Sequence, residues 1–336
     1  MKVLFDHSFP FFLAHGGFQT QIEQSKAALE AVGVEVEFLR WWDDAQRGDI
    51  IHYFGRPVGA YVDLARKKGI KFVLAELLTG LGSRRTPARR IQKVVLISAK
   101  TLFPTAFTAR LGWDCYRMAD ACIALTPWEK QLMTEMFSAP PGRVHCVPNG
   151  VEQVFFQSPR LPRQQWLVCT ATITQRKRPL ELAEAAVKAQ TALWIIGKPY
   201  GDEDRYADSF LQLAKQHPKW IRYEGGVSDR ARLAEIYRQA RGFVLLSTME
   251  SLSLSALEAA ACECPLLLSD LPWARCTFQQ SASYCPITPS IARTAAVLRR
   301  FYDEAPRLPV PPKPKTWLDV AQLLKAVYEV VLSTSR

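Results

Sequence analysis

Gly242-Phe243-Val244-Leu245-Leu246-Ser247-Thr248-Met249-Glu250-Ser251-Leu252-Ser253-Leu254-Ser255-Ala256-Leu257-Glu258 decides how the chain is read. It opens on a short apolar run, passes through a small polar turn and leads into an Ala/Leu-rich helical pattern. Strand, turn, helix is the unit of a parallel α/β layer. A helix start near Ser251 to Leu254 presents free backbone N–H groups and a partial positive charge, which suits a diphosphate. Two carboxylates flank it. Glu258 is placed to accept hydrogen bonds from ribose hydroxyls, as acids near nucleotides do, and Glu250 to reach a sugar beyond the phosphates. The bland alternative is a pair of glutamates favoured by the helix dipole.

The same alternation extends in both directions. Val3-Leu4-Phe5, Val34 to Phe38, Asp49 to Phe54 and Lys71 to Leu74 read as strands. Helices are expected around Ile22 to Val32 and Val58 to Lys68. Further strands are expected at Ala121 to Leu125 and Val144 to Val147. A Pro-rich polar linker over 157–165 separates these from a second series, whose strands begin at Gln165, Leu193, Ile221, Gly242 and Pro265. A Pro-rich stretch, Pro306 to Pro314, precedes a last helix from about Thr316 to Leu332. The expected organisation is two doubly wound domains, 1–156 and 157–315, with a terminal helix over 316–336. Ligands on such sheets sit outside the carboxyl ends of the strands.

Composition sets the bounds. The chain has 336 residues, 48% hydrophobic and 22% charged, which fits two ordinary globular domains. A net charge of +11 suits nucleic acid, an anionic membrane surface or a phosphate-bearing substrate. No RNA motif or recognition helix is visible, so nucleic acid is not expected. The eight cysteines form no disulfide framework, and Cys262 with Cys264 lacks a second pair for zinc, so no metal site is expected. Met1 to Asp6 reads as a strand rather than a signal peptide, which implies a cytoplasmic protein.

Thr248 to Pro265 resembles the signature of the family 4 retaining glycosyltransferases, E-G-F-G-L-x-x-L-E-A-M-A-x-G-x-P. Other stretches fall in the family's order. Gly16-Gly17 resembles its glycine loop, and Val147-Pro148-Asn149-Gly150-Val151 its P-N-G-V segment. Arg176-Lys177-Arg178-Pro179 resembles its K-R-P or K-G segment. Gly225-Gly226-Val227, with Leu233, Tyr237 and Ala240, resembles its G-x-V stretch, and Trp317 to Tyr328 its terminal helix. The resemblance covers nearly the whole chain. It implies a GT-B fold: two Rossmann-like domains facing each other across a cleft, with the terminal helix crossing back to the N-domain.

It also implies retention of anomeric configuration and transfer of a hexose from a UDP- or GDP-sugar to a saccharide or lipid-linked acceptor, without a bound cofactor or metal. Glu250 and Lys177 would be catalytic. Glu258, Arg176, Ser251, Leu252, Ser253, Leu254, Val227, Gly16 and Gly17 would hold the donor. The motif glycines are replaced by Ser251, Ser253, Glu263 and Cys264. Thr172 stands where an arginine is usual, and the family's N-domain histidine is missing from Leu74-Ala75-Glu76-Leu77-Leu78. His52 and Glu76 are candidates for its place, and Arg84 and Arg85 for an acidic acceptor.

Arg84, Arg85, Arg89, Arg90 and Lys93 open a segment in which Ile91, Val94, Val95 and Leu102 share one side of a helix. Such a helix either lies on an anionic membrane at the inner face or packs on the N-domain core. Three other classes compete with this reading: an epimerase-like GT-B enzyme, a catalytically silent GT-B binding protein, and a dinucleotide oxidoreductase. The last predicts a G-x-G-x-x-G after a first strand, and neither half has one.

Overall fold

The structure, a computed structural model, describes residues 1–8, 10–11, 16–57, 60–84, 86–102, 112–157, 161–201 and 204–334. Arg85 and residues 158–160 of the expected linker lie outside that set, as does Val58. The chain divides into two compact units, Met1–Gly150 with Trp317–Arg336, and Val151–Thr316.

The first unit holds a six-stranded parallel sheet in the order β2-β1-β3-β4-β5-β6. The strands are β1 Lys2–His7, β2 Glu35–Phe38, β3 Ile50–Phe54, β4 Lys71–Ala75, β5 Ala121–Ala124 and β6 Val144–Cys146. All five residues of both β3 and β4 are buried, as expected for strands covered on both faces. The terminal helix Trp317–Ser333 packs on helix Gly17–Ala31 of this unit. Lys325 Nζ donates to Val32 O at 3.0 Å, and Lys71 Nζ to Thr334 O at 2.9 Å.

The second unit repeats the design with the order β12-β11-β10-β7-β8-β9. Its strands are β7 Leu167–Thr170, β8 Leu193–Ile196, β9 Ile221–Tyr223, β10 Gly242–Leu245, β11 Leu266–Ser269 and β12 Ser283–Cys285. β7 is the first strand of this unit and β10 the fourth. They are hydrogen-bonded neighbours, and the strand order reverses between them. That is the switch point of a doubly wound sheet.

The division between the units falls after Gly150, earlier than the linker reading set it. Residues 151–156 belong with the second unit because Phe155 is buried there. It lies 6.1 Å from the Tyr237 ring, and its carbonyl accepts from Cys262 Sγ at 3.4 Å. Burial pushes the Cys169 and Cys262 thiols up to about 12, so they behave as small core residues. No helix among the described residues is long and apolar enough to cross a membrane.

A Cβ on Gly150 would lie 2.6 Å from Trp317 Cα and 2.7 Å from Trp317 N. The glycine of Pro148-Asn149-Gly150 is therefore a close-approach residue that lets the terminal helix start against it. Gly150→Ala is expected to cost about 1–3 kcal/mol, the range for forced overpacking, read as a lowered urea midpoint with an unchanged slope.

Candidate functional site

The loops after β7 and β10 meet because their strands are adjacent. Thr248 N donates to Arg176 O at 2.9 Å, tying the two loops by backbone. Lys177 Nζ then donates to Glu250 Oε1. Arg176 Nη1 reaches the same carboxylate oxygen at 3.3 Å and Met249 O at 3.0 Å. Glu250 is buried, and the Lys177 side chain keeps only 13% of its exposure. The structure thus brings Glu250, Lys177 and Arg176 to one point at the switch of the second sheet.

Arg178 has φ 57, a left-handed conformation that explains why the resembling segment ends in K-R or K-G: glycine adopts it without strain. Arg178 is buried and donates through Nη2 to Thr288 O at 2.8 Å, so it anchors the loop rather than facing a ligand.

Ser253 is the N-cap of helix Leu254–Ala261, its Oγ accepting from Ala256 N at 3.4 Å. Ser251, Leu252 and Ser253 are all buried beside Glu250 in sequence, with Leu254 the first helical residue. The serines that replace glycines therefore keep the helix start compact. Glu263, another replaced glycine, sits at φ 55, again a position that suits glycine.

Glu258 lies one turn inside that helix and is buried. Its carboxylate accepts from Arg230 Nη2, and from Tyr237 OH at 3.4 Å. Arg230 Nε also donates to Glu152 Oε2 at 2.7 Å, and its guanidinium lies 4.7 Å over the Phe155 ring. Burial pushes the Glu258 carboxyl above its usual range, while the Arg230 charge opposes that shift. Sequence reasoning missed Arg230 and Glu152. The available signal was Asp229-Arg230 opening a helix directly after Gly225-Gly226-Val227. Val227 is half-buried in that loop, at the carboxyl end of the edge strand β9.

The other candidates lie in the first unit. Gly16 is the N-cap of helix Gly17–Ala31 with φ 144, where a side chain would be strained. His52 is 1% exposed, and its Nδ1 is 2.6 Å from Tyr328 OH of the terminal helix. Burial holds its pKa down at about 3. A neutral histidine inside the sheet cannot reach an acceptor, so the structure assigns His52 to packing.

Glu76 is different. It accepts from Arg56 Nε at 2.9 Å and Nη2 at 2.8 Å, and from Tyr116 OH. Arg56 and Glu76 line a pocket of about 200 Å³ with Leu78, Gln92, Leu96 and Trp113. Arg84 is exposed and donates to Gln92 Oε1 at 2.6 Å, on the rim of that pocket. Arg85 lies outside the described residues. A second cavity, of about 500 Å³, is lined by Phe155, Arg163, Arg238, Cys262 and Pro309. Arg163 precedes β7, so this cavity belongs to the amino ends of the strands, away from Lys177. Among the described residues, no group of three or more His, Cys, Asp and Glu side chains is arranged to hold a metal ion.

Comparison with known proteins adds to this geometry. Residues 17–150 match the Glycosyl transferase 4-like domain, and residues 164–297 match Glycosyl transferases group 1. The D-inositol 3-phosphate glycosyltransferase of Acidothermus cellulolyticus is 28% identical over 182 residues, 46% of this chain and 39% of that protein. The D-inositol 3-phosphate glycosyltransferase 1 of Catenulispora acidiphila is 26% identical over 286 residues, 76% of this chain and 64% of that protein. The matched stretch is thus under two thirds of either relative's length.

Among solved structures, sucrose-phosphate synthase from Thermosynechococcus elongatus superposes with a TM-score of 0.67 at 16% identity, covering 100% of both chains. Anabaena Alr3699/HepE in complex with UDP gives 0.65 at 13% identity, covering 98% of this chain and 100% of that one. At these identities the superpositions establish the fold, two six-stranded parallel sheets of GT-B type.

The Arg230 bridge yields a pH-dependent expectation. Removing it leaves Glu258 buried beside no cation, and Arg230→Met is expected to lose on the order of 3 kcal/mol of stability at pH 7.5. A carboxyl raised above its unfolded pKa costs stability when ionised, and that cost vanishes as protonation proceeds. The variant's deficit in urea denaturation should therefore shrink as pH falls from 7.5 towards the ordinary carboxylate range. A deficit independent of pH would contradict the role given to Arg230.

Proposed function

Because the chain belongs to the family 4 glycosyltransferases of GT-B type, we propose that it is a retaining hexosyltransferase. It moves a sugar from a UDP- or GDP-sugar to a saccharide or lipid-linked acceptor in cell-surface glycan synthesis. The observation that carries the reading is the convergence of Lys177, Arg176 and Glu250 at the switch point of the second sheet.

A departing nucleoside diphosphate develops negative charge. Two fixed cations beside a helix start stabilise that charge without reorganisation at the moment of reaction. Glu250, held between the cations, orients them and presents its carboxylate to sugar hydroxyls. Glu258 takes the ribose, and Arg230 holds it in place. Val227 lines the base. Gly16 and Gly17 allow close backbone approach to the donor. Retention follows if the attacking hydroxyl enters on the face the diphosphate leaves, with the leaving phosphate oxygen taking the hydroxyl proton.

Thermal-shift titration tests the donor site. UDP or GDP at about 100 times its dissociation constant should add about 2.7 kcal/mol to native stability. Glu258→Ala should abolish most of that shift. Lys177→Ala should lower turnover about 100- to 1000-fold, the cost of removing one charge-stabilising donor, with Tm little changed. No shift with any nucleotide would sink the proposal. Product formation from donor alone would favour the epimerase reading.

We also propose that segment 84–102 places the enzyme at an anionic membrane surface. In helix Thr86–Leu102, Ile91, Val94, Val95 and Leu102 are 67%, 64%, 57% and 70% exposed, and Leu96 is the buried anchor. The apolar stripe points away from the domain, which does not suit the core-packing alternative. Arg90 is exposed beside it, and Lys93 pairs with Glu135 at 3.4 Å. The full chain should co-sediment with phosphatidylglycerol vesicles. Val94→Asp should weaken partition about tenfold or more, since burying a valine contributes about 1.5 kcal/mol or more. Equal sedimentation of the two proteins would reject the surface.

A further inference from the structure

Trp41 and Trp42 follow the carboxyl end of β2 and are 76% and 84% exposed, the most exposed large hydrophobic side chains among the described residues. Their surroundings are ordered. Trp41 Nε1 donates to Asp6 Oδ1 at 3.3 Å. Asp6 is 4% exposed and lies near the carboxyl end of β1, accepting also from Tyr61 OH at 2.5 Å and His7 N at 2.8 Å. A buried carboxylate thus fixes the outward-facing indole of Trp41.

The turn beyond is pinned as well. Arg40 bridges Glu37 at 3.0 Å and Asp43 at 2.7 Å, and Gln46 Nε2 donates to Glu37 Oε2 at 2.8 Å. In the order β2-β1-β3 the sheet reverses between β1 and β3, so Asp6 sits at that switch, where doubly wound sheets take their ligands, and the tryptophan turn follows the neighbouring edge strand β2.

We propose that Trp41 and Trp42 form a stacking platform for a neutral pyranose or cyclitol ring of the acceptor. The inference rests on the glycosyltransferase reading and assigns the substrate class of its acceptor side. Such rings have an apolar C–H face and a hydroxyl edge. Polarised C–H groups are drawn to the negative face of an indole, and carboxylates accept from hydroxyls.

The charge around the platform selects between occupants. Residues 35–49 carry five acidic side chains against two arginines, and Lys2 adds a third cation, bridging Glu35 at 2.8 Å and Glu37 at 2.5 Å. Asp44 is exposed beside Trp42, and Asp43 is half-buried. Because Lys2 and Arg40 are already paired with these acids, the rim offers a phosphate-bearing ring or an anionic lipid surface little attraction, and it suits an uncharged polyol. Trp41, held by Asp6, also orders few rotamers on binding.

Saturation-transfer NMR on the full chain with UDP present tests the platform. The probes are methyl β-D-glucopyranoside, methyl α-D-mannopyranoside and myo-inositol. Transfer to the ring C–H protons of at least one probe is expected. It should fall about three- to tenfold in Trp42→Ala, the worth of one aromatic contact, and be partly kept in Trp42→Phe. Trp42 makes no bond to Asp6, so this variant does not disturb the buried carboxylate. Undiminished transfer in Trp42→Ala, transfer from no probe, or loss of vesicle sedimentation in place of the glycoside signal would overturn the proposal. The UDP thermal shift is read on the same samples. If it persists while glycoside contact fails, the platform falls and the donor-site reading stands; if it is absent in the unmutated chain, the donor-site reading itself has failed.

Discussion

One adjacency governs the candidate site: β7 and β10, separated by more than seventy residues of chain, are hydrogen-bonded neighbours with the strand order reversing between them. The loops that leave their carboxyl ends have no other space to enter. Thr248 N on Arg176 O closes them against each other, and two cations and a carboxylate are delivered to one point. Separately, Arg176, Lys177 and Glu250 are ordinary turn residues. With Glu250 and Lys177 largely buried and Arg176 partly so, their charges interact more strongly than in water, because less solvent screens them. The left-handed Arg178 and its bond to Thr288 then keep the basic loop from sliding.

Glu258 shows a second level of the same constraint. A carboxylate buried one turn inside a helix is costly to ionise. Arg230 offsets the cost while remaining partly exposed, and it links Glu258 to Glu152 two residues after the division between the units. The charge on Glu258 and the conformation of residues 151–156 therefore share one guanidinium. A mutation at either acid is felt at the other, and single substitutions here should not be treated as additive.

Much of this was legible in the residues. Apolar runs alternating with helical patterns gave eleven of the twelve parallel strands, since period and strand burial are local properties; the twelfth, β12 Ser283–Cys285, is three residues long, polar at its start and only partly buried, so it leaves no apolar run to read. Glu250, Lys177 and Arg176 were legible because motif order substitutes for knowledge of strand order. The division after Gly150 was not, because Pro-rich composition at 157–165 marks an irregular segment rather than the point where contacts change sides. His52 was misleading for a related reason. Its partner Tyr328 is 276 residues away, so nothing local distinguishes a buried histidine from a ligand-facing one. The helical face of segment 86–102 was readable as amphipathic, yet periodicity cannot say which face turns inward. Leu96 and Gln92 do, leaving Ile91, Val94, Val95 and Leu102 outside.

The first unit carries two segments of opposite charge. Segment 84–93 is basic with an apolar stripe behind it, whereas segment 35–49 is acidic around two tryptophans. Both expose large apolar side chains, which soluble surfaces otherwise keep scattered. A single kind of partner would not require both signs. Under the proposed roles, an anionic surface would be attracted to the first and gain little at the second, and a neutral polyol would have use only for the second. A lipid-linked or membrane-proximal glycan presents both features at once, charged headgroups below and uncharged rings above. On these proposals, apolar burial would supply the affinity, and the charge around each patch would decide what is admitted there.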